Sequence, residues 1–111
     1  MLLVALAAAT AQPLPDDVRK MEIAWQVANA LDFATTEYCL RNRSGCEEAN
    51  PLIGKRPSTA KLLAFKAGSG VLHYIAAREL VKVDHNAAKI FEIGSLIVTG
   101  GTVAANLRFV F

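Results

Sequence analysis

Three segments of the chain combine a mostly apolar composition with a narrow line of polar positions at helical spacing. In the first, from about residue 16 to residue 40, the polar positions are separated by four, three and seven residues, so they fall on one stripe of a helix. They are Glu22, Gln26, Asn29 and Thr36, with Asp32 at the margin of the stripe. Pro13 and Pro15 precede this segment and predict that the helix begins at about Asp16.

The second and third segments repeat this design with even fewer polar residues. In the second, about Ser58 to Val83, three polar side chains share one face, and Ser58 is a suitable N-cap. They are Lys66, Ser69 and His73. In the third, about Asn86 to Arg108, the polar positions step by three, four, three and four residues. They are Glu92, Ser95, Thr99, Thr102 and Asn106.

Small residues interrupt the apolar surfaces of the second and third segments, and glycine is unfavourable inside a helix in water. They include Ala64, Gly68, Gly70, Gly94, Gly100 and Gly101. In membrane bundles such residues let neighbouring helices approach closely, so we expect close helix packing at these positions.

The absence of a broad charged face on the second and third segments favours a membrane location. Apolar residues make up 53% of the chain, and the mean hydropathy is +0.31, which is high for a small water-soluble protein. The sequence therefore predicts an all-α, three-helix membrane bundle that forms a single domain over residues 12–111. The alternative is a soluble helical bundle that binds a protein partner through its small-residue faces.

The first eleven residues, MLLVALAAATA, form a short apolar segment that ends in the small-x-small pattern Ala9-Thr10-Ala11. This pattern is typical of an export signal, and the segment is too short to span a bilayer. We therefore interpret residues 1–11 as a signal peptide; the alternative is an apolar arm that is not cleaved.

Residues 41–61 form the loop between the first two helices and contain five basic residues. They are Arg41, Arg43, Lys55, Arg56 and Lys61. Positive residues favour the cytoplasmic side, so the sequence predicts an inner-membrane protein with a cytoplasmic loop and an outside amino terminus.

Cys39 and Cys46 are the only cysteines, and their spacing does not suggest a metal site because no histidine lies near them. They form either a disulfide or two free thiols. On the predicted orientation they stay reduced, whereas a disulfide would reverse the orientation and exclude the signal-peptide interpretation.

Composition and motifs give no sign of nucleic-acid binding, a metal or a cofactor. The net charge is only +2, and no catalytic triad, phosphate-binding loop or zinc-protease motif is present. We interpret Glu47, Glu48 and Asn50 as residues of a solvated turn around Pro51; the weaker alternative is that they supply oxygen ligands for a divalent cation.

A loop motif and four residues on the first two predicted helices carry a resemblance to a known group of proteins. The matching residues are Asp32-x-x-Thr35-Thr36, then Glu48-x-Asn50-Pro51-Leu52-Ile53-Gly54-x-x-Pro57-Ser58, then His73. From about Leu31 to the carboxyl end, the chain resembles small uncharacterised membrane proteins of bacterial genomes and prophages. The resemblance implies an inner-membrane location without naming a substrate, and its polar positions match Asp32, Thr36, Glu48, Asn50, His73 and Asn106.

The polar residues at membrane depth are the candidate functional site: Asp32, Thr36, Lys66, His73, Glu92 and Asn106. An unpaired charge there is costly, so we expect Lys66 to pair with Asp32 or Glu92. One interpretation is that such pairs have no role beyond fixing the register of the helices. The alternative is that Asp32 and His73 form a proton relay in a small membrane enzyme or proton-coupled carrier. The favoured interpretation is a non-enzymatic, structural or protein-interaction role, and the resemblance implies a bacterial or prophage origin. Its expected partners are membrane lipid and either a second copy of the chain or another membrane protein.

Overall fold

The computed structural model describes residues 14–42, 46, 48, 52 and 54–108, and these fold into three helices without any strand. Helix α1 spans Asp16–Asn42, α2 spans Thr59–Val83 and α3 spans His85–Leu107. The all-α fold and the three helices predicted from the sequence are confirmed, and every helix end lies within two residues of its predicted position.

Side-chain caps fix the ends of α2 and α3. Ser58 is the N-cap of α2, where its hydroxyl oxygen accepts a hydrogen bond from the backbone N–H of Lys61 at 3.1 Å. Asp84 ends α2 through its own N–H, which donates to the Leu80 carbonyl at 2.8 Å, and begins α3 by accepting from the N–H of Asn86 at 3.0 Å. A single residue therefore makes the turn between two antiparallel helices.

Each helix packs against the other two, which gives a bundle with principal-axis extents of 45 × 23 × 23 Å. At the end that contains the Asp84 turn, His85 Nε2 lies 2.8 Å from the Asp17 carboxylate and so ties the start of α3 to the start of α1. The length of the bundle matches the thickness of a bilayer with its headgroups, about 40–45 Å.

A disulfide between Cys39 and Cys46 closes the opposite end, which we call the loop end, with the two Cα atoms 5.7 Å apart. The Arg56 guanidinium supports this closure by donating to the carbonyl oxygens of Leu40 at 2.5 Å and Cys46 at 2.6 Å. Gly54 adopts a φ of 83°, which other residues rarely adopt, so the loop motif needs glycine there. The alternative of two free thiols does not describe this structure.

Polar side chains occupy the middle of the bundle interior, and apolar clusters lie towards its ends. One apolar cluster at the loop end contains Cys39, Leu40, Cys46 and Leu62, and the other, at the turn end, contains Leu14, Val18, Tyr74 and Ala88. Between them eight polar or charged residues are buried: Glu22, Gln26, Asn29, Asp32, Thr35, Thr36, His73 and Glu92. This order reverses the usual arrangement of a water-soluble protein, whose interior is apolar.

The outer surface of all three helices carries large apolar side chains. The most exposed of those on α3 are Ile90, Ile97 and Val98, at 70–71% relative exposure. Helix α3 alone among the described helices is both long and apolar enough to span a membrane by itself, and only 6% of its most apolar stretch is buried in the bundle.

The sequence predicted that neighbouring helices pack closely at the glycines of α2 and α3, and this prediction is wrong for most of those glycines. A Cβ atom added at Gly68, Gly94, Gly100 or Gly101 would meet nothing within 4 Å. These residues lie on the outside of the bundle because the polar stripes, which face inward, fix the rotation of each helix.

Several sequence-based predictions fall outside the described residues. The signal peptide over residues 1–11 is one, and the cation-ligand hypothesis is another because it involves Glu47 and Asn50. Within the loop motif, Asn50 and Pro51 also lie outside, while Pro57 is buried and the backbone N–H of Glu48 donates to the Lys55 carbonyl at 2.6 Å.

Candidate functional site

The buried polar residues form two clusters, and the first surrounds the Asp32 carboxylate. Lys66 Nζ of α2 lies 2.7 Å from Asp32 Oδ2, and both side chains are largely buried. The other carboxylate oxygen accepts hydrogen bonds from Thr36 at 3.2 Å and from Asn106 of α3 at 3.3 Å. Asn106 Nδ2 also lies 3.0 Å from Thr35 Oγ1 and 2.9 Å from Thr36 Oγ1.

This Asp32 cluster joins all three helices and leaves its charges paired. The sequence offered Asp32 and Glu92 as alternative partners of Lys66, and the structure selects Asp32. A buried ion pair with additional hydrogen bonds favours one axial register of the helices, since sliding α1 or α2 would separate opposite charges and sliding α3 would break the hydrogen bonds of Asn106. The geometry therefore suits a structural role.

The second cluster contains Glu22 of α1, His73 of α2 and Glu92 of α3, and all three side chains are buried. His73 Nδ1 lies 2.8 Å from Glu22 Oε1, 3.1 Å from Glu22 Oε2 and 3.6 Å from Glu92 Oε1. One potential ligand atom from each residue lies within 4.8 Å of the other two. Two carboxylates thus face the same imidazole nitrogen.

Aromatic rings hold His73 in this position. The indole of Trp25 stacks on the imidazole with ring centroids 3.6 Å apart and planes inclined by 4°. Phe91 makes a tilted contact with the same imidazole at 4.4 Å. Trp25 is itself fixed, because its indole N–H donates to Thr99 Oγ1 at 3.0 Å. The direction of Nδ1 is therefore set by packing as well as by the carboxylates.

Gln26 positions Glu22 from one turn further along α1. Its amide nitrogen donates to Glu22 Oε2 at 2.6 Å and to the backbone carbonyl of Gly70 at 2.9 Å. Four buried atoms of the cluster and its neighbour have no hydrogen-bond partner among the described residues: both carboxylate oxygens of Glu92, Nε2 of His73 and Oε1 of Gln26. Unlike the Asp32 cluster, this one has polar atoms that the protein leaves unsatisfied.

The structure does not bring Asp32 and His73 together. Asp32 contacts Lys66 and Asn106, whereas His73 contacts Glu22 and approaches Glu92. Along α1, ten residues separate Glu22 from Asp32, a rise of about 15 Å. A proton relay built on Asp32 and His73 as neighbours therefore lacks support from the geometry.

A groove of about 440 Å³ reaches the His73 cluster from the side of the bundle. It is lined by Trp25, His73 and six residues of α3, among them Phe91, Ser95 and Thr99. The Asp32 cluster does not line this groove. The His73 cluster, which contains the polar atoms without hydrogen bonds, is thus the cluster that borders a groove.

Sequence reasoning placed Glu22 on the polar stripe of the first helix but did not identify it as a site residue, and it gave Trp25 no role. Glu22 and Glu92 are 70 residues apart, and no motif links them. One signal in the sequence could have indicated the cluster. Three acidic residues lie on the inward stripes, and Lys66 can pair with only one of them, so the other two carboxylates need a different partner.

Comparison with known proteins identified no matching family, no curated relative and no solved structure of similar fold.

Proposed function

We propose that this chain is a small integral membrane protein whose three helices cross the bilayer as one bundle and whose role is structural or protein-interacting. The observation that carries this proposal is the inverted polarity of the bundle. Eight polar or charged side chains are buried, while large apolar side chains face outward on every helix. Lipid favours this arrangement because apolar side chains then meet hydrocarbon and polar groups satisfy one another inside.

The composition of α1 and α2 supports insertion as a bundle. Neither of these two helices is apolar enough to span a membrane alone, in contrast to α3. Their charged residues at mid-length include Glu22 and Asp32 on α1 and Lys66 on α2, and all three face the interior. The outer faces of the same helices carry Ile23, Val27, Leu31, Leu63, Leu72 and Ile75.

The full hydrogen bonding around Asp32 supports a structural role for that residue. A carrier or enzyme that used Asp32 would need water or substrate to reach it, whereas both charges of the Lys66 pair are largely buried. We propose that the lipid-facing surface, with its outward glycines, is available to a second copy of the chain or to another membrane protein.

A substitution on the outer face of α3 tests the membrane placement. Ile97 lies near the middle of α3 with 70% of its surface exposed. Replacing it by Asp should lower membrane insertion by about 3 kcal/mol if it faces hydrocarbon, whereas a surface change in water usually costs no more than about 0.5 kcal/mol. The measurement is the membrane-integrated fraction of the chain, with Ile97→Ala as the control. An integrated fraction unchanged by Ile97→Asp would contradict the proposal.

We further propose that the loop end faces an oxidising compartment, the reverse of the orientation expected from the loop sequence alone. The disulfide between Cys39 and Cys46 supports this, since such bonds persist on the oxidising side of a membrane. The positive-inside rule opposes it only weakly once the basic residues at each end of the bundle are counted. Five lie at the turn end: Arg19, Lys20, Arg78, Lys82 and Lys89. The loop end has six, the five between residues 41 and 61 and Arg108, so the bias towards a cytoplasmic loop end is a single residue.

Thiol labelling with a membrane-impermeant maleimide decides the orientation. On our proposal, intact cells or spheroplasts show no labelling until a reductant is added, and then label from outside. Labelling without reduction, and only after the membrane is opened, would instead support a cytoplasmic loop with free thiols. Our orientation also predicts that residues 1–11 remain attached, which mass spectrometry of the purified chain can measure.

A further inference from the structure

We propose that Glu22, His73 and Glu92 form a binding site for a divalent first-row transition cation such as Zn²⁺ or Mn²⁺. Each residue comes from a different helix, and one ligand atom of each lies within 4.8 Å of the others. Three ligands around one such cation are usually separated by about 3–3.5 Å, since metal–ligand bonds are about 2.0–2.2 Å long. Small rotations of the two glutamate side chains would therefore close the site.

The state of Glu92 is the independent observation that points to a ligand. Its side chain is 0% exposed, and neither carboxylate oxygen makes a hydrogen bond of normal geometry with the described residues; its polar neighbours are His73 Nδ1 and the Glu22 carboxyl group. One of these oxygens lies 3.6 Å from His73 Nδ1, so the carboxylate is directed into the cluster. A buried polar group without a well-formed hydrogen bond is costly, and a bound cation removes that cost.

The charges of the cluster match a divalent cation. Once ionised, the two carboxyl groups supply two negative charges at a buried position where no arginine or lysine contacts them among the described residues. With a neutral imidazole, a divalent cation brings the site to zero net charge. The cation binds the lone pair of His73 Nδ1, so the neutral imidazole keeps its one hydrogen on Nε2, and any other proton that the three ligand groups hold before binding passes to solvent.

The donor set selects the class of metal. An imidazole nitrogen with two carboxylates suits Zn²⁺, Mn²⁺ or Fe²⁺, whereas Mg²⁺ and Ca²⁺ prefer oxygen ligands throughout. Gln26 and the two aromatic rings act as positioning residues: the amide orients Glu22 at 2.6 Å, and Trp25 and Phe91 fix the imidazole. Such supporting contacts are typical of metal sites.

Trp25 makes the proposal measurable in the intact protein because it is the only tryptophan and stacks on the imidazole. The full chain, purified in detergent without a histidine tag and with its disulfide intact, is stripped with a chelator and then titrated. We expect one Zn²⁺ per chain by elemental analysis, a saturable change in Trp25 fluorescence, release of protons in weak buffer, and a higher melting temperature. Mg²⁺ at the same concentration should produce none of these changes.

Substituting a residue that only supports a metal ligand usually lowers metal affinity by about 10- to 100-fold. His73→Gln and Glu92→Gln each remove a ligand itself, so each should lower the Zn²⁺ affinity by about 100-fold or more. The matched controls are His85→Gln, which removes the only other histidine, and Glu79→Gln, which neutralises an exposed carboxylate on α2. Both controls should bind Zn²⁺ as the wild type does.

Two results would overturn the proposal. If stripped wild-type protein takes up no Zn²⁺ or Mn²⁺, Glu92 instead holds a proton that it shares with Glu22. If His73→Gln and Glu92→Gln bind as tightly as the wild type, the metal lies elsewhere. Circular dichroism checks that each variant is helical, and should one variant fail to fold, the other decides the outcome. The test does not depend on the membrane proposal, because it is carried out on the purified chain.

Discussion

Breaking the ion pair between Asp32 and Lys66 should be the most damaging conservative substitution in the interior. Asp32→Asn keeps the size of the side chain and one carbonyl acceptor for Thr36 and Asn106. It leaves the Lys66 ammonium, 2.7 Å away and only 13% exposed, without its negative partner. Removing one member of a buried pair costs about 3–5 kcal/mol, because the remaining charge is desolvated and uncompensated.

The loss can be measured as a shift in the thermal unfolding of the protein in detergent micelles. For a domain of about this size, 1 kcal/mol corresponds to roughly 4 °C or more, so Asp32→Asn should lower the melting temperature by at least about 12 °C. A second substitution separates charge from shape. Adding Lys66→Met to Asp32→Asn removes the uncompensated charge and should recover most of the lost stability, since a buried pair replaced by neutral residues is often stable.

A surface pair provides the control for this prediction. Arg19 and Asp16 form an ion pair at 2.9 Å with both side chains more than half exposed, so Asp16→Asn should cost less than about 1 kcal/mol. The reasoning would be refuted if Asp32→Asn unfolded at the wild-type temperature. It would also be refuted if the double variant were no more stable than Asp32→Asn, since the loss would then not arise from the isolated ammonium.

Three further predictions concern the two ends of the bundle and the His73 cluster. Replacing Cys39 and Cys46 together by Ala opens a short disulfide loop, which should lower the free energy of unfolding by about 2.5 kcal/mol in chemical denaturation. Trp25→Phe keeps a ring over His73 but removes the indole N–H that donates to Thr99, so a loss of about 1 kcal/mol is expected in the same assay.

At the turn end, the hydrogen bond from His85 holds the pKa of Asp17 below its ordinary value of 3.8. Because the folded-state pKa is lowered, this contact stabilises the fold above pH 3.8 and the contribution is lost as the pH falls through the lowered value. An NMR titration of the Asp17 carboxyl carbon should show a higher pKa in His85→Gln than in the wild type; equal values would contradict the assignment.

The sequence predicted the helices well because its signals are local. Each signal involves residues close together in the sequence. They are the prolines before Asp16 and after Arg56, the Ser58 cap, and the spacing of polar residues within each segment. The same stripes predicted most of the side chains that face inward, although Thr102 of the α3 stripe is exposed. The stripes also limited the possible partners of Lys66 to two carboxylates, because a lysine that faces the interior can pair only with an acidic residue that faces the interior as well.

The His73 cluster could not be predicted, because it depends on the axial register of three helices relative to one another. Glu22 is one of several polar residues on its stripe, and nothing local indicates that it meets His73 rather than Lys66. The glycine prediction was wrong for a related reason. A glycine on an apolar helix is compatible with either a helix contact or an outer face, and Gly94, Gly100 and Gly101 lie on the outer face of α3.

Fractionation of cells that express the full chain, with an alkaline carbonate wash of the membranes, tests the central claim most directly. A bundle with apolar side chains outside and charges inside should remain in the washed membrane pellet and should leave it only with detergent. Recovery of the folded chain in the soluble or carbonate-released fraction would contradict the claim. The exposed apolar faces of the three helices would then have to be covered by a protein partner instead of lipid.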